Sequence, residues 1–130
     1  MADDEKGEKP LFWIGRSDEA VRDFPREVRR TVGFALGLAQ LGGKFIDSKP
    51  LKGFGGASVL EIVEDFRSDT YRCVYTIKFA GAVYVLHAFQ KKSKIGIKTP
   101  KQEIDLVKDR LKRAEEHYRT WLEKQGEHKS

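Results

Sequence analysis

The sequence has little of what marks secreted, metal-binding or membrane proteins. Its 130 residues include one cysteine, Cys73, which can form no disulfide within the chain and no multi-cysteine metal site. No apolar run approaches the ~18–20 residues of a membrane span. The first residues are acidic, unlike the basic and then apolar start of a secretion signal. We therefore expect a cytoplasmic protein with no membrane partner, no metal and no cofactor.

Familiar catalytic signatures are also missing. The sequence has no phosphate-binding glycine loop, no serine nucleophile elbow and no paired histidines at metal-ligand spacing. Its length fits one domain, and 39% apolar residues can supply one core. We expect a single domain over 10–125, flanked by a polar, acidic tail at 1–9 and a polar tail at 126–130.

The charge of the chain is uneven. The net charge is +5, yet residues 1–9 hold four acids and two lysines, so the remainder carries +7. The stretch 91–101 contains five lysines and no acid. A clustered basic surface favours a polyanionic partner, nucleic acid first. A solvated basic face without a ligand is the alternative, and charge alone does not separate the two.

The periodicity of the first half predicts one strand and two helices. A short apolar run at 11–14 is typical of a strand, and Ser17 has the position of an N-cap for a helix that ends near Phe24. Helical spacing resumes from Pro25 to about Leu41. The mixture of glycine, proline and lysine over 44–57 indicates an irregular loop.

The second half predicts three strands and a long helix. Strands at 58–66, 71–79 and 82–89 are joined by links short enough only for hairpins. Thr99 then begins a capping box, with Pro100 at the first helical position. The predicted fold is α+β with the order β-α-α-β-β-β-α. It has an antiparallel or mixed sheet of about four strands, an N-terminal helical hairpin and a long C-terminal helix.

The candidate chemistry lies where the last predicted strand ends. His87 precedes Lys91 by four residues, and strand ends present side chains from a rigid scaffold. Arg72 lies near the start of the preceding strand, and antiparallel pairing brings that start beside this end. We predict that Arg72, Lys91 and Lys92 converge on one phosphate, with His87 or Tyr71 beside them. Such a cluster can cleave RNA without metal, since cations stabilise the phosphate charge and a neutral base accepts the 2′-hydroxyl proton.

Simpler roles are open for several of these residues. The pattern alone favours an ordinary core histidine at position 87, and His117 and His128 are expected to be solvated. Period-two alternation puts Arg72 on the opposite face from Tyr71, so we expect it to behave like a surface residue. Further candidates for phosphate contacts are Lys52, Lys94, Lys98 and Lys101.

Three segments, in this order, resemble a known family. They are Tyr71 to Tyr75, Val85 to Lys92 and Lys98 to Pro100. They are similar to the HigB branch of the RelE/ParE toxin superfamily, including its phage-derived members, and the similarity spans roughly 11–111. The resemblance implies a small bacterial toxin that enters the ribosomal A site and cuts translated mRNA. It also implies an antitoxin partner with a helix-turn-helix DNA-binding domain.

The resemblance also assigns roles to individual positions. It implies that Arg72 contacts the scissile phosphate, that Lys91 and Lys92 form the basic strand-end pair, and that His87 matches a histidine common in the HigB branch. The second strand departs from the family, since Glu61 to Val63 lacks the usual basic residue and acids follow. Two alternatives to a metal-independent endoribonuclease therefore remain: a protein of this fold that inhibits by binding the ribosome or another target, and a phage-derived assembly protein.

Overall fold

A computed structural model describes residues 7–91 and 99–129. Within these ranges the chain forms five strands and three helices, in the order β1 (Leu11–Trp13), α1 (Ser17–Arg22), α2 (Arg26–Gln40), β2 (Lys49–Pro50), β3 (Val59–Phe66), β4 (Asp69–Thr76), β5 (Val83–Lys91) and α3 (Lys101–Lys129). The predicted α+β class and the order of the predicted elements are confirmed. Among the described helices, none combines the length and the apolar character needed to cross a bilayer.

The strands form one mixed sheet in the order β1-β5-β4-β3-β2. Strands β3, β4 and β5 make the predicted antiparallel meander, and β1 pairs with β5 in parallel. The sheet has five strands rather than about four, because β2 lies inside the predicted loop and pairs with β3. Two residues, one of them Pro50, are too few to show a strand pattern, and proline is tolerated at a sheet edge.

Helices cover the sheet on both faces. Tyr71, Cys73 and Tyr75 of β4 pack with the apolar side of α1 and α2, whereas Val74 packs with Val107 of α3. This alternation follows from the period of two in a strand, which sends successive side chains to opposite faces. The protein therefore has two separate hydrophobic cores, one between the sheet and α1 and α2, the other between the sheet and α3.

Strand β5 contains a bulge. Val74 pairs with His87 and Tyr75 pairs with Val85, so Leu86 is one residue more than β4 can match. Leu86 packs in the α3 core, and His87 contacts Glu103 of α3. Two consecutive side chains thus point to the same face, which places His87 under α3.

Two predicted helix caps have other partners. Ser17 is the first residue of α1 rather than its cap, and its buried hydroxyl donates to the Val85 carbonyl at 3.3 Å. Helix α3 begins one residue later than predicted, and the Thr99 hydroxyl bonds with the side chains of Arg72 and Glu61. Both hydroxyls connect a helix start to the sheet.

The C-terminal half of α3 is fixed by aromatic side chains. The hydroxyl of Tyr84 lies 2.6 Å from Nδ1 of His117, whose ring also packs on Phe12 with 4.7 Å between ring centroids. Burial, and secondarily the neighbouring Tyr118, raises the pKa of Tyr84 to about 12, so the hydroxyl keeps its proton and can donate to His117. His117 is exposed, as expected, but this contact also gives it a structural role, because it ties α3 to β5.

Candidate functional site

Three of the candidate residues, Arg72, His87 and Lys91, lie on the α3 face of the sheet, near the point where α3 begins. Cross-strand register arranges this end of the face in three rows across β3, β4 and β5. The rows are Glu61–Val74–His87, then Val63–Arg72–Phe89, then Asp65–Thr70–Lys91. The cations Arg72 and Lys91 therefore occupy adjacent rows of one surface, as predicted from antiparallel pairing.

Arg72 is buried and ion-paired. Its side chain is 4% exposed, and Nη1 donates to Oε1 of Glu61 at 3.0 Å and to the hydroxyl of Thr99 at 3.1 Å. The Thr99 hydroxyl in turn donates to the same Glu61 oxygen at 3.2 Å. Arg72 faces away from Tyr71 as predicted, but the expected surface character was wrong, because the segment that starts α3 covers this part of the sheet.

His87 is held on both sides by α3. Its Nε2 lies 2.6 Å from Oε1 of Glu103, and Nη1 of Arg110 lies 3.3 Å from its Nδ1. Burial lowers the pKa of His87, outweighing the opposite effect of Glu103, and Arg110 lowers it further. A neutral ring with its proton on Nε2 satisfies both contacts, donating to Glu103 and accepting from Arg110. This is the pattern of a satisfied buried histidine, and a proton could reach Nδ1 only if Arg110 moved.

The remaining predicted residues are dispersed. Tyr71 lies on the α1/α2 face, where it is buried against Phe24 with 5.0 Å between ring centroids. Lys52 is exposed in the loop between β2 and β3, and Lys101 is exposed and pairs with Asp105 at 2.9 Å. Lys92, Lys94 and Lys98 fall outside the described residues. The structure thus brings Arg72, His87 and Lys91 onto one face and leaves Tyr71 on the other.

The sequence pattern did not indicate which groups contact Arg72 and His87. Glu61, Thr99, Glu103 and Arg110 contact Arg72 or His87, and two of them belong to α3. The Glu61 contact could have been predicted from sequence, since the alternation of side chains along β3 puts Glu61 on the same face of the sheet as Arg72. The positions of Glu103 and Arg110 depend on how α3 crosses the sheet, which periodicity does not determine. Among the side chains that the structure describes, no three from histidine, cysteine or carboxylate residues are placed to share a metal ion.

Comparison with known proteins identifies the family. The family model described as Phage derived protein Gp49-like (DUF891) matches residues 19–112, well over half of the chain. The chain belongs to this family. No curated protein matches the sequence of this Gp49-like chain significantly.

A solved structure supports the same fold. The Gp49-like chain is similar to a double arginine-to-alanine variant of the Escherichia coli toxin RelE in the free state, with a TM-score of 0.50 and 20% sequence identity. The similarity covers 82% of this chain and 98% of that chain. The predicted resemblance to the RelE superfamily is therefore confirmed for the fold and for the phage-derived family.

Proposed function

We propose that this Gp49-like chain is the toxin of a toxin–antitoxin pair of the HigB kind. It arrests translation by cutting mRNA in the ribosomal A site, and a helix-turn-helix antitoxin holds it inactive. The observation that carries the proposal is the RelE-like fold, in which Arg72 and Lys91 share one sheet face at the end of β5. The lysine-rich sequence that follows β5 adds the positive charge that an RNA partner requires.

The described side chains support a metal-independent reaction. The guanidinium of Arg72 can hold two phosphate oxygens at once and stabilise the charge that gathers on them. To do so it must exchange its contact with Glu61 for one with the phosphate. His87 is neutral near pH 7, because its pKa lies below 6.5, and it can accept the 2′-hydroxyl proton at Nδ1 once Arg110 withdraws.

Inhibition by binding is the second candidate, and one observation favours it. In the structure Glu61 and Thr99 engage Arg72, and Glu103 and Arg110 engage His87. A protein that only binds the ribosome or another target needs no release of these contacts. The two candidates differ in whether mRNA is cut.

The first prediction separates these candidates by induced expression in bacteria. We expect growth arrest, with mapped 5′ ends showing cuts within translated messages. Arg72→Lys keeps the charge but loses the planar fork, so cleavage should fall about 10²–10³-fold, the scale of losing one preorganised donor. Arg22→Lys, in an exposed pair with Asp18 on α1, is the matched control and should cut normally.

Other results point elsewhere. Arrest with intact mRNA would support inhibition by binding, and the absence of arrest would contradict both forms of the proposal. Because Arg72 is buried, thermal melting must show that Arg72→Lys is folded at the growth temperature before its loss of cleavage is assigned to catalysis.

A further inference from the structure

Helix α2 and the loop after it expose a group of large apolar side chains. Phe34 is 60% exposed, Leu41 65% and Ile46 89%. Phe34 also meets Phe45 edge to face, with 6.0 Å between ring centroids, which connects the helix to the loop. Several large apolar side chains exposed in one short segment are unusual in a soluble protein and favour an interaction site.

Two glycines on the same side of α2 have no explanation within the chain. Gly33 and Gly37 are four residues apart, and a Cβ added at either would meet no heavy atom within 4 Å. Neither has a positive φ. Glycine is among the least favourable residues in a helix interior, so the fold itself would be better served by alanine at both positions. Small residues on an open helix face do allow another backbone to approach closely.

The N-terminal half of the same helix is positively charged. Arg26, Arg29 and Arg30 are exposed, and within the described part of the chain none of them has an acidic partner. Nearby arginines differ, since Arg16 pairs with Glu19 and Arg22 pairs with Asp18.

These residues form one stripe, which we name the α2 outer face. Helical spacing aligns Arg26, Arg30, Gly33, Phe34, Gly37 and Leu41 opposite the buried side of α2. The stripe is basic at its N-terminal end and apolar at its C-terminal end. It lies on the other side of the sheet from Arg72 and His87.

We propose that the α2 outer face binds an amphipathic helix of a partner protein, with acidic residues against the arginines and apolar residues against Phe34 and Leu41. This inference rests on the proposed function, in which that partner is the antitoxin. Charge argues against a second copy of this chain. If two α2 helices packed in parallel, arginines would face arginines. If they packed antiparallel, the arginines of each helix would face the apolar end of the other. The partner would leave Arg72 and His87 uncovered, so any inhibition from this surface acts other than by covering them.

The test uses the protein encoded in the reading frame beside this one, with the full chain, and measures the dissociation constant and the neutralisation of toxicity. Replacing Gly33 and Gly37 together by glutamine should raise the melting temperature yet weaken binding by at least about tenfold. Arg30→Glu should weaken binding and reduce its salt dependence. Lys112→Glu, the same charge reversal on the exposed side of α3, should bind like the wild type.

The possible outcomes are distinct. Binding weakened by the α2 variants but not by Lys112→Glu supports the inference. A neighbour that binds and neutralises equally well with every variant overturns the inference and leaves the proposed function standing. Self-association that the α2 variants abolish, or RNA affinity that Arg30→Glu abolishes, overturns it by assigning the face to another occupant. Absence of toxicity overturns the proposed function itself.

Discussion

Arg72 and His87 each carry a carboxylate partner under the start of α3. Glu61 lies 3.0 Å from Arg72, and Glu103 lies 2.6 Å from His87. Removing one member of a buried ion pair typically costs about 3–5 kcal/mol, because the other charge is left without compensation, although the intact pair adds little net stability. Substitution of Arg72 or Glu61 alone should therefore affect folding as well as any chemistry, which the surface position expected from the sequence did not suggest.

The second prediction concerns the titration of His87. Burial lowers its pKa below the unfolded value of 6.5. The unfolded chain therefore binds more protons than the folded one as pH falls below about 6.5, so the contribution of His87 to the free energy of unfolding becomes less favourable as pH falls through that range. Glu103→Gln removes the group that raises the pKa, so the imidazole pKa should fall further. Titration of the His87 imidazole by nuclear magnetic resonance measures the pKa in the wild type and in Glu103→Gln.

Glu116→Gln supplies the control for this titration. Glu116 is exposed on α3, and this substitution should leave the His87 resonance midpoint unchanged. A wild-type midpoint above 6.5 would show that the Glu103 contact outweighs burial. In that case the imidazolium would be the folded form that Glu103 stabilises.

At the scale of elements, α3 is attached to the sheet by polar contacts near its start and by aromatic contacts further along. Arg110 lies between these two regions of α3, and its Nη1 donates to the Leu86 carbonyl of β5 at 3.0 Å. Its guanidinium also lies over Gly15, where an added Cβ would come within 2.8 Å of Cζ. The turn between β1 and α1 thus needs glycine both for its φ of +62° and for the space that Arg110 occupies.

The third prediction uses this close approach. Gly15→Ala and Gly55→Ala both place a Cβ at a positive φ, which costs about 1–2 kcal/mol. Only Gly15→Ala also displaces Arg110, and loss of a hydrogen bond to a charged group adds about 1.5–3 kcal/mol. Urea denaturation should therefore show a larger loss of unfolding free energy for Gly15→Ala. Equal losses would mean that Arg110 shifts without cost.

The longer helices and strands could be predicted because their apolar residues repeat regularly along the sequence. The spacing from Val28 to Ala39 and from Val107 to Ala114 marks helix faces that are buried. Strand β2 and the partners of Ser17 and Thr99 could not be predicted, since each depends on a contact distant in sequence. The same reason limits how much of the candidate site can be predicted. Strand pairing places the cations Arg72 and Lys91 together, whereas the positions of Glu103 and Arg110 depend on how α3 docks on the sheet.

At the scale of the whole molecule, charge is divided between two sides. Lys91 lies on the α3 face, and a lysine-rich sequence follows it in the chain, whereas the arginines of the α2 outer face lie on the other side of the sheet. An RNA partner and a protein partner therefore have separate basic surfaces available. Binding at each surface can be tested without altering the other.

The fourth prediction concerns RNA affinity as a function of salt. If the lysines of 91–101 contact phosphates, the affinity for a short single-stranded RNA should fall steeply with salt, by about 0.7 in logarithmic slope for each phosphate contacted. Replacing Lys91 and Lys92 by alanine should flatten that slope. The double control Lys44→Ala with Lys49→Ala, exposed positions in the loop before β2 and in β2 itself, should not. An unchanged slope in the first variant would make this lysine cluster a solvated face.

The bulge at Leu86 has a consequence for comparison with relatives. Before it, odd-numbered residues of β5 such as Val83 and Val85 face α1 and α2, whereas after it the odd-numbered His87 faces α3 and the even-numbered Ala88 faces α1 and α2. The assignment of odd- and even-numbered side chains to the two faces of the sheet therefore reverses at Leu86. A relative with a regular strand must be aligned to this one with a single-residue gap at Leu86. Without that gap, every position after it, Lys91 included, is assigned to the wrong side of the sheet.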